Sequence, residues 1–175
     1  MDDLDYNAWR DSMRRLTREI ETNFELRFGY PPDVQYVGGP TSQEDIDEAQ
    51  AQIVALPEEL LRFYAHISEV SLPDVDSGYF IHSLRRVLDG RARADPIRIG
   101  AQWNLRISAF GSDGGGTLYA LGSGDGGPGP VYALAPGPVR DQVYEDELGA
   151  VRLADDFNQF LLWLHAKTAT FLGDS

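Results

Sequence analysis

ISAFGSDGGGTLYALGSGDGGPGPVYAL, residues 107–134, and VRLADDFNQFLLWL, residues 151–164, are the stretches that decide the fold of this chain. In the first, Leu118 and Ala120 point to one face of a predicted strand and Tyr119 points to the other, the alternation typical of a half-buried strand. The glycine-rich segments beside this strand are typical of hairpin connections. The two stretches therefore predict strand, turn, strand, turn, strand, and then a short strand that leads into a helix.

Two amphipathic helices are predicted near the ends of the chain. In the first, apolar residues recur at steps of three and four and form one stripe: Tyr6, Trp9, Met13, Leu16 and Ile20. This helix should end before Gly29, because Gly-Tyr-Pro-Pro disfavours helical backbone. The last helix should be capped by Asp155 or Asp156. Its predicted buried face consists of Phe157, Phe160, Leu161 and Leu164.

Shorter elements are predicted between these helices. Thr41, with Glu44 three residues later, forms a capping-box pattern at a helix start. The helix that follows directs Ile46, Ala49 and Ile53 inward, and a further helix restarts at Pro57. Strands are predicted at 36–37 and 79–82 and within 97–109, turns at 71–78, and an exposed loop at 122–130. Residues 84–95 show both helical and loop character.

Net charge restricts the class of partner. The chain carries a formal charge of −13, with −9 in residues 1–60, +2 in residues 61–110 and −6 in residues 111–175. Such a charge repels phosphate backbones and anionic lipid headgroups, so we expect neither nucleic acid nor a membrane as a direct partner. It would attract a basic protein. Residues 84–95 form the only basic-leaning patch.

Composition indicates the compartment. The chain has no cysteine, which excludes disulfides and thiolate metal sites. The acidic N-terminus is unlike a targeting signal, and no apolar stretch is long enough to span a bilayer. We therefore expect a soluble cytoplasmic protein.

No motif indicates a reaction. The glycines at 111–116 precede a strand and have no lysine nearby, so a structural turn is favoured over a phosphate cradle. The three histidines, at 66, 82 and 165, lack the spacing of a zinc site. Paired carboxylates are abundant, but most suit helix starts. Asp74, Asp76 and Asp125 lack the loop that a calcium site needs. We predict no cofactor, no metal and no catalytic residue.

The order of these motifs resembles the SUKH superfamily, which includes bacterial immunity proteins and fungal regulators of cell-wall assembly. The likeness runs from about Thr41 to Leu164. It rests on four segments: LPEELLRFYAHI at 56–67, ISAFGSDGGGTLYAL at 107–121, GPVYAL at 129–134 and LADDFNQFLLWL at 153–164. The resemblance implies an α+β fold, with helices packed on a largely antiparallel sheet and no enzymatic activity. The length of the chain suits one SUKH-like domain over residues 1–175, with an N-terminal helix and extended linker at 1–40 and the core at 41–175.

The resemblance implies, for bacterial members, that a toxin is neutralised by direct binding. Our leading hypothesis is accordingly an immunity protein that binds a basic toxin domain, such as a nuclease. Four aspartates are predicted to contact that partner: Asp74, Asp76, Asp113 and Asp125. Exposed Tyr or Trp residues near the glycine-rich loops are predicted anchors. The alternatives are an interaction hub with a regulatory role and a hydrolase that uses two carboxylates.

Overall fold

Alternating apolar residues and glycine turns build a mostly antiparallel sheet, against which the helices pack. The computed structural model describes residues 4–52, 56–100, 102–123 and 129–173. Its helices are α1 Tyr6–Phe28, α2 Gln43–Gln50, α3 Glu58–Tyr64, α4 Leu84–Arg93 and α5 Phe157–Gly173. Its strands are β1 Tyr36–Val37, β2 Val70–Leu72, β3 Tyr79–Ile81, β4 Arg98–Ile99, β5 Leu105–Asp113, β6 Leu118–Gly122, β7 Val131–Leu134, β8 Val139–Arg140, β9 Val143–Tyr144 and β10 Ala150–Ala154. A short 3-10 helix covers Glu147–Gly149.

The longest strand, β5, is the centre of the sheet. One edge of β5 pairs with β3 near its C-terminal end and with β4 near its N-terminal end, and the other edge pairs with β6. The order continues outward from β3 to β2 and β1, from β6 to β7 and β10, and from β4 to β9 and β8. Every pairing is antiparallel except that of β4 with β9. The α+β fold with a largely antiparallel sheet is therefore confirmed.

Aromatic rings of α5 fill the core between the helices and the sheet. Phe157 and Phe160 each meet Phe110 of β5 edge-on, with ring centroids 5.1 Å apart. Phe157 also meets Phe63 of α3 at 5.3 Å. The predicted buried face of the last helix is confirmed, and the carboxylate of Asp156 caps this helix by accepting a hydrogen bond from the backbone of Gln159.

A second, smaller core covers the opposite face of the sheet. Its buried members are Ile99, Ile107, Ala120, Leu134, Tyr144 and Ala150. Strand β6 is consequently buried on both faces, since Tyr119 packs against Phe160 while Ala120 lies in the second core. The prediction of a half-buried strand is wrong here. The segment from β8 to β9 covers this face, with the Tyr144 hydroxyl donating to the Ala135 carbonyl oxygen at 2.7 Å.

The N-terminal helix has the predicted stripe with one change. Tyr6, Trp9, Met13 and Ile20 are buried, but Leu16 is only half-buried, and Thr17 and Phe24 complete the stripe. Thr17 can be buried because its hydroxyl donates to the carbonyl oxygen of Arg14. The helix ends at Gly29, which adopts the left-handed conformation that glycine tolerates best.

Two local predictions are corrected, and one ambiguous segment is resolved as a helix. Ser42, and not Thr41, caps α2 by accepting a hydrogen bond from the backbone of Asp45 at 3.2 Å. The predicted turn at 71–78 begins with strand residues, because β2 extends to Leu72. Residues 84–93 are helical, with Ser83 as the cap. The predicted inward residue Ile53 lies outside the described residues, while Ile46 and Ala49 are buried as expected.

Candidate functional site

The turns that carry the predicted aspartates lie against each other at the C-terminal end of β5. Gly114 donates a backbone hydrogen bond to Gly78 at 3.2 Å, and a Cβ at Gly114 would overlap the carbonyl oxygen of Ser77. Asp113 is also the register partner of Tyr79. We call Asp74, Asp76 and Asp113 at this end the aspartate surface. Asp125 lies outside the described residues.

Two carboxylates of the aspartate surface are hydrogen-bonded within the molecule. Asp113 Oδ1 accepts from the backbone N–H groups of Gly115 and Thr117, both at 2.8 Å. Asp76 Oδ2 accepts from the hydroxyl of Tyr79 at 2.8 Å. Carboxylates that accept in this way are typical of tight turns, and each such bond adds to stability. Both groups thus hold the turns in shape.

Asp74 connects the same surface to the segment before β1. Its Oδ2 atom accepts from the backbone N–H of Asp33 at 2.8 Å and from the side chain of Gln35 at 2.6 Å. Burial raises the pKa of Asp74, and these two hydrogen bonds oppose that effect. Asp74 is therefore also a structural acceptor.

His82 is close to this surface but has a structural environment. Its Nε2 atom lies 2.9 Å from Ser112 Oγ, while its carbonyl oxygen accepts from the buried hydroxyl of Tyr64. Burial, with a smaller contribution from Arg86, lowers the pKa of His82 to about 4. The ring is neutral near pH 7. In the described part of the chain, no three His, Cys, Asp or Glu side chains are grouped as a metal site.

A concave surface with an exposed aromatic residue lies near the N-terminal end of β5. We call it the tryptophan cavity. It has a volume of about 460 Å³ and is lined by Trp103, Leu105, Tyr132, Ala150 and Arg152. Trp103 remains 47% exposed, and its ring centroid lies 6.4 Å from that of Tyr132. Neither Asp74 nor Asp95, the carboxyl groups whose pKa values are raised, lines this cavity.

Glu147 holds the backbone at Gln102 and Trp103 in place through hydrogen bonds. Glu147 Oε1 accepts from the N–H groups of Gln102 and Trp103 at 3.0 and 3.1 Å. Gly100 has a φ of +57° and passes so close to Glu147 that a Cβ there would overlap its carboxylate. A glycine is therefore favoured at position 100, and Glu147 fixes the backbone from which the Trp103 side chain extends.

Sequence analysis predicted an exposed aromatic anchor but did not identify Trp103. The available signal was its position in Gln-Trp-Asn, a polar segment between two strands. Asp113 ends the nine-residue strand β5, while Trp103 lies two residues before its start at Leu105.

A comparison with protein families found a match. The model of the SMI1 / KNR4 family (SUKH-1) matches residues 40–163. The matched range includes both surfaces and leaves out α1 and β1. A comparison with curated proteins found no match. Among the described residues, no helix has the length and apolar character needed to cross a membrane.

Proposed function

Because this chain belongs to the SMI1/KNR4 family (SUKH-1), we propose that it is a non-catalytic immunity protein that neutralises a toxin domain by binding it directly. The family supports an immunity or regulatory role, and direct neutralisation is the more specific step that we add. The exposed indole of Trp103 is the observation that carries this step. Trp, Tyr and Arg are the residue types that most often dominate binding energy, and the tryptophan cavity contains one of each.

Rigidity makes this cavity suited to binding. Glu147 accepts one backbone hydrogen bond from Gln102 and one from Trp103, and Arg152 pairs with Asp155 at 3.0 Å. Side chains that are already ordered lose less conformational entropy when a partner binds. A toxin residue inserted between Trp103 and Tyr132 would thus form the centre of the interface.

Electrostatic attraction is the second part of the proposal. A molecule with a net charge of −13 speeds association with a basic partner, most strongly at low salt. We propose that the partner is a basic toxin domain, such as a nuclease, met in the cytoplasm. The aspartate surface and Asp125 are proposed to add to this attraction.

Coexpression tests the function. We expect coexpression with the product of the adjacent gene to relieve the growth arrest that this product causes alone. The Trp103→Ala variant should bind this toxin at least 30-fold more weakly, as for a hot-spot residue. Tyr36→Ala is the matched control, because Tyr36 is 45% exposed and lies outside the cavity, and its affinity should change less than threefold.

The outcomes separate the alternatives. Binding without rescue would contradict immunity and support a regulatory hub. Substrate turnover that a single carboxylate substitution abolishes would support a hydrolase. Asp76→Asn with Asp113→Asn keeps an acceptor oxygen at each position while removing charge, so unchanged association rates at low salt would remove both aspartates from the proposed interface.

A further inference from the structure

Three arginines lie together on the helix-facing side of β4 and β5. Arg98 and Arg106 are direct register partners across these two strands. Arg91 of α4 reaches the same face, with its Nη1 atom 3.4 Å from Ser108 Oγ. We call Arg91, Arg98 and Arg106 the arginine cluster.

The hydrogen-bond partners of this cluster are neutral. Arg91 donates to the Ser108 hydroxyl and Arg98 donates to the Asn104 side chain at 2.6 Å. Across residues 4–52, 56–100, 102–123 and 129–173, no carboxylate lies within 4.0 Å of the three guanidinium groups. Other arginines do have such partners: Arg85 contacts Asp45 and Glu48, Arg140 contacts Glu145, and Arg152 contacts Asp155.

This arrangement is unfavourable for the isolated protein. Like charges directly opposite each other on paired strands destabilise a sheet. Burial, and to a smaller extent Arg106, lower the pKa of the Arg91 guanidinium, which shows that its charged form is disfavoured there. An anion between the guanidinium groups would remove this repulsion, because each can donate paired hydrogen bonds to a carboxylate.

We propose that the arginine cluster binds an acidic segment of a protein partner, with a carboxylate held between Arg98 and Arg106. This inference goes beyond the toxin-neutralising function and does not depend on it. A protein segment is favoured over nucleic acid because a net charge of −13 repels a long polyanion, whereas the cluster is local. The cluster lies on the face of the sheet opposite the second core and thus offers a contact separate from the tryptophan cavity.

Peptide binding tests this proposal without a toxin. The probe is a fluorescein-labelled hexaglutamate peptide, with anisotropy measured at low salt. Wild-type protein should bind it, and a double variant with Arg98→Gln and Arg106→Gln should bind at least tenfold more weakly. The control double variant, with Arg85→Gln and Arg140→Gln, has the same net charge but loses two arginines that are already paired. Its affinity should change less than threefold.

Each other outcome would overturn the proposal. No binding by the wild type would do so, as would an equal loss in the control, which would indicate only general charge attraction. Tighter binding of single-stranded DNA of the same charge would assign the cluster to nucleic acid instead. Circular dichroism and thermal melting should show both double variants folded. A variant that failed to fold would also contradict it, because the cluster would then be needed for folding.

Discussion

The C-terminal and N-terminal ends of β5 differ in how their polar groups are used. At the C-terminal end, the carboxylates of Asp76 and Asp113 accept hydrogen bonds from their own turns. At the N-terminal end, Arg106 faces Arg98, and the indole ring of Trp103 is open to solvent. The carboxylates at one end have hydrogen-bond donors within the molecule, while the other end has an exposed indole ring and two arginines opposite each other.

The two ends of β5 therefore have different roles: the C-terminal end contributes to folding and the N-terminal end is available for binding. The net negative charge of the chain led to the prediction that acidic residues contact a partner. The carboxylates of the aspartate surface also accept hydrogen bonds that stabilise the fold. Arginines are fewer than acidic residues, and the hydrogen-bond partners of Arg91 and Arg98 near β4 and β5 are neutral side chains. We therefore expect substitutions at the C-terminal end of β5 to reduce stability and those at the N-terminal end to reduce binding.

The largest effect on stability is expected for Gly114→Ala. A Cβ there would overlap the Ser77 carbonyl oxygen and separate the two turns of the aspartate surface. The free energy of unfolding, measured by urea denaturation, should fall by about 3 kcal/mol. Gly39→Ala is the control, since its Cβ would approach nothing closer than 3.9 Å and should cost less than about 1 kcal/mol. Equal losses would mean that the turns are not in tight contact.

The second largest expected effect is a pH dependence of the free energy of unfolding that arises from His82. Its pKa is about 4 in the folded protein and about 6.5 in the unfolded chain, so its stabilising contribution is complete above pH 6.5 and is lost as the pH falls towards 4. After allowance for screening by water, this loss is about 2 kcal/mol. Urea denaturation between pH 4 and 7 should show a steeper loss for the wild type than for His82→Gln.

Two other kinds of group contribute to the same pH profile. His165, whose pKa is also lowered by burial, acts in the same direction. Asp74 and Asp95, whose pKa values are raised by burial, act in the opposite direction. His165, Asp74 and Asp95 are present in both the wild type and His82→Gln. The difference between the two pH profiles therefore reports the contribution of His82 alone. Identical profiles would contradict the assigned environment of this ring.

A smaller loss is expected for Asp113→Ala. The substitution leaves the N–H groups of Gly115 and Thr117 without their acceptor, which should cost about 1–2 kcal/mol in unfolding free energy. Asp11→Ala is the control, because the Asp11 side chain is 66% exposed and its pair with Arg10 should contribute less than about 1 kcal/mol. If both variants were equally stable, Asp113 would be available for binding instead.

The smallest effect is expected at the other end of the strand, with the opposite sign. Arg106→Gln removes the repulsion with Arg98 and should raise the unfolding free energy by about 0.5 kcal/mol at low salt. The gain should decrease as salt screens the charges. Arg140→Gln removes an arginine that has a carboxylate partner, so it should give no gain. A clear loss of stability in Arg106→Gln would mean that the arginine serves the fold.

Local periodicity was sufficient to predict most elements. The stripe of α1 and the buried face of α5 depend on residues a few positions apart, and both were predicted. The cap of α2 was not, because Thr41 with Glu44 and Ser42 with Asp45 are equivalent local patterns. A distant contact decides between them, since the Thr41 N–H donates to the carbonyl oxygen of Tyr64.

Long-range packing accounts for what the sequence left open. The second face of β6 is buried by the segment from β8 to β9, whose short strands have little periodicity. The candidate surfaces were partly predictable. Turn chemistry identified Asp76 and Asp113, but their hydrogen bonds depend on how the turns fold. Trp9 lies on the predicted apolar stripe of α1, whereas Trp103 has polar neighbours; that its ring is exposed beside Tyr132 depends on the tertiary structure.

The contact between α1 and α5 has a consequence for biosynthesis. Trp9 Nε1 donates to the carbonyl oxygen of Leu161 at 3.0 Å, and these residues are 152 positions apart. Helix α1 must therefore wait for α5 to be synthesised before its apolar stripe is completely covered. Contacts between residues so far apart in sequence slow folding. Until they form, the exposed apolar surface of α1 favours aggregation. We expect the nascent chain to bind chaperones through α1 until α5 has been synthesised.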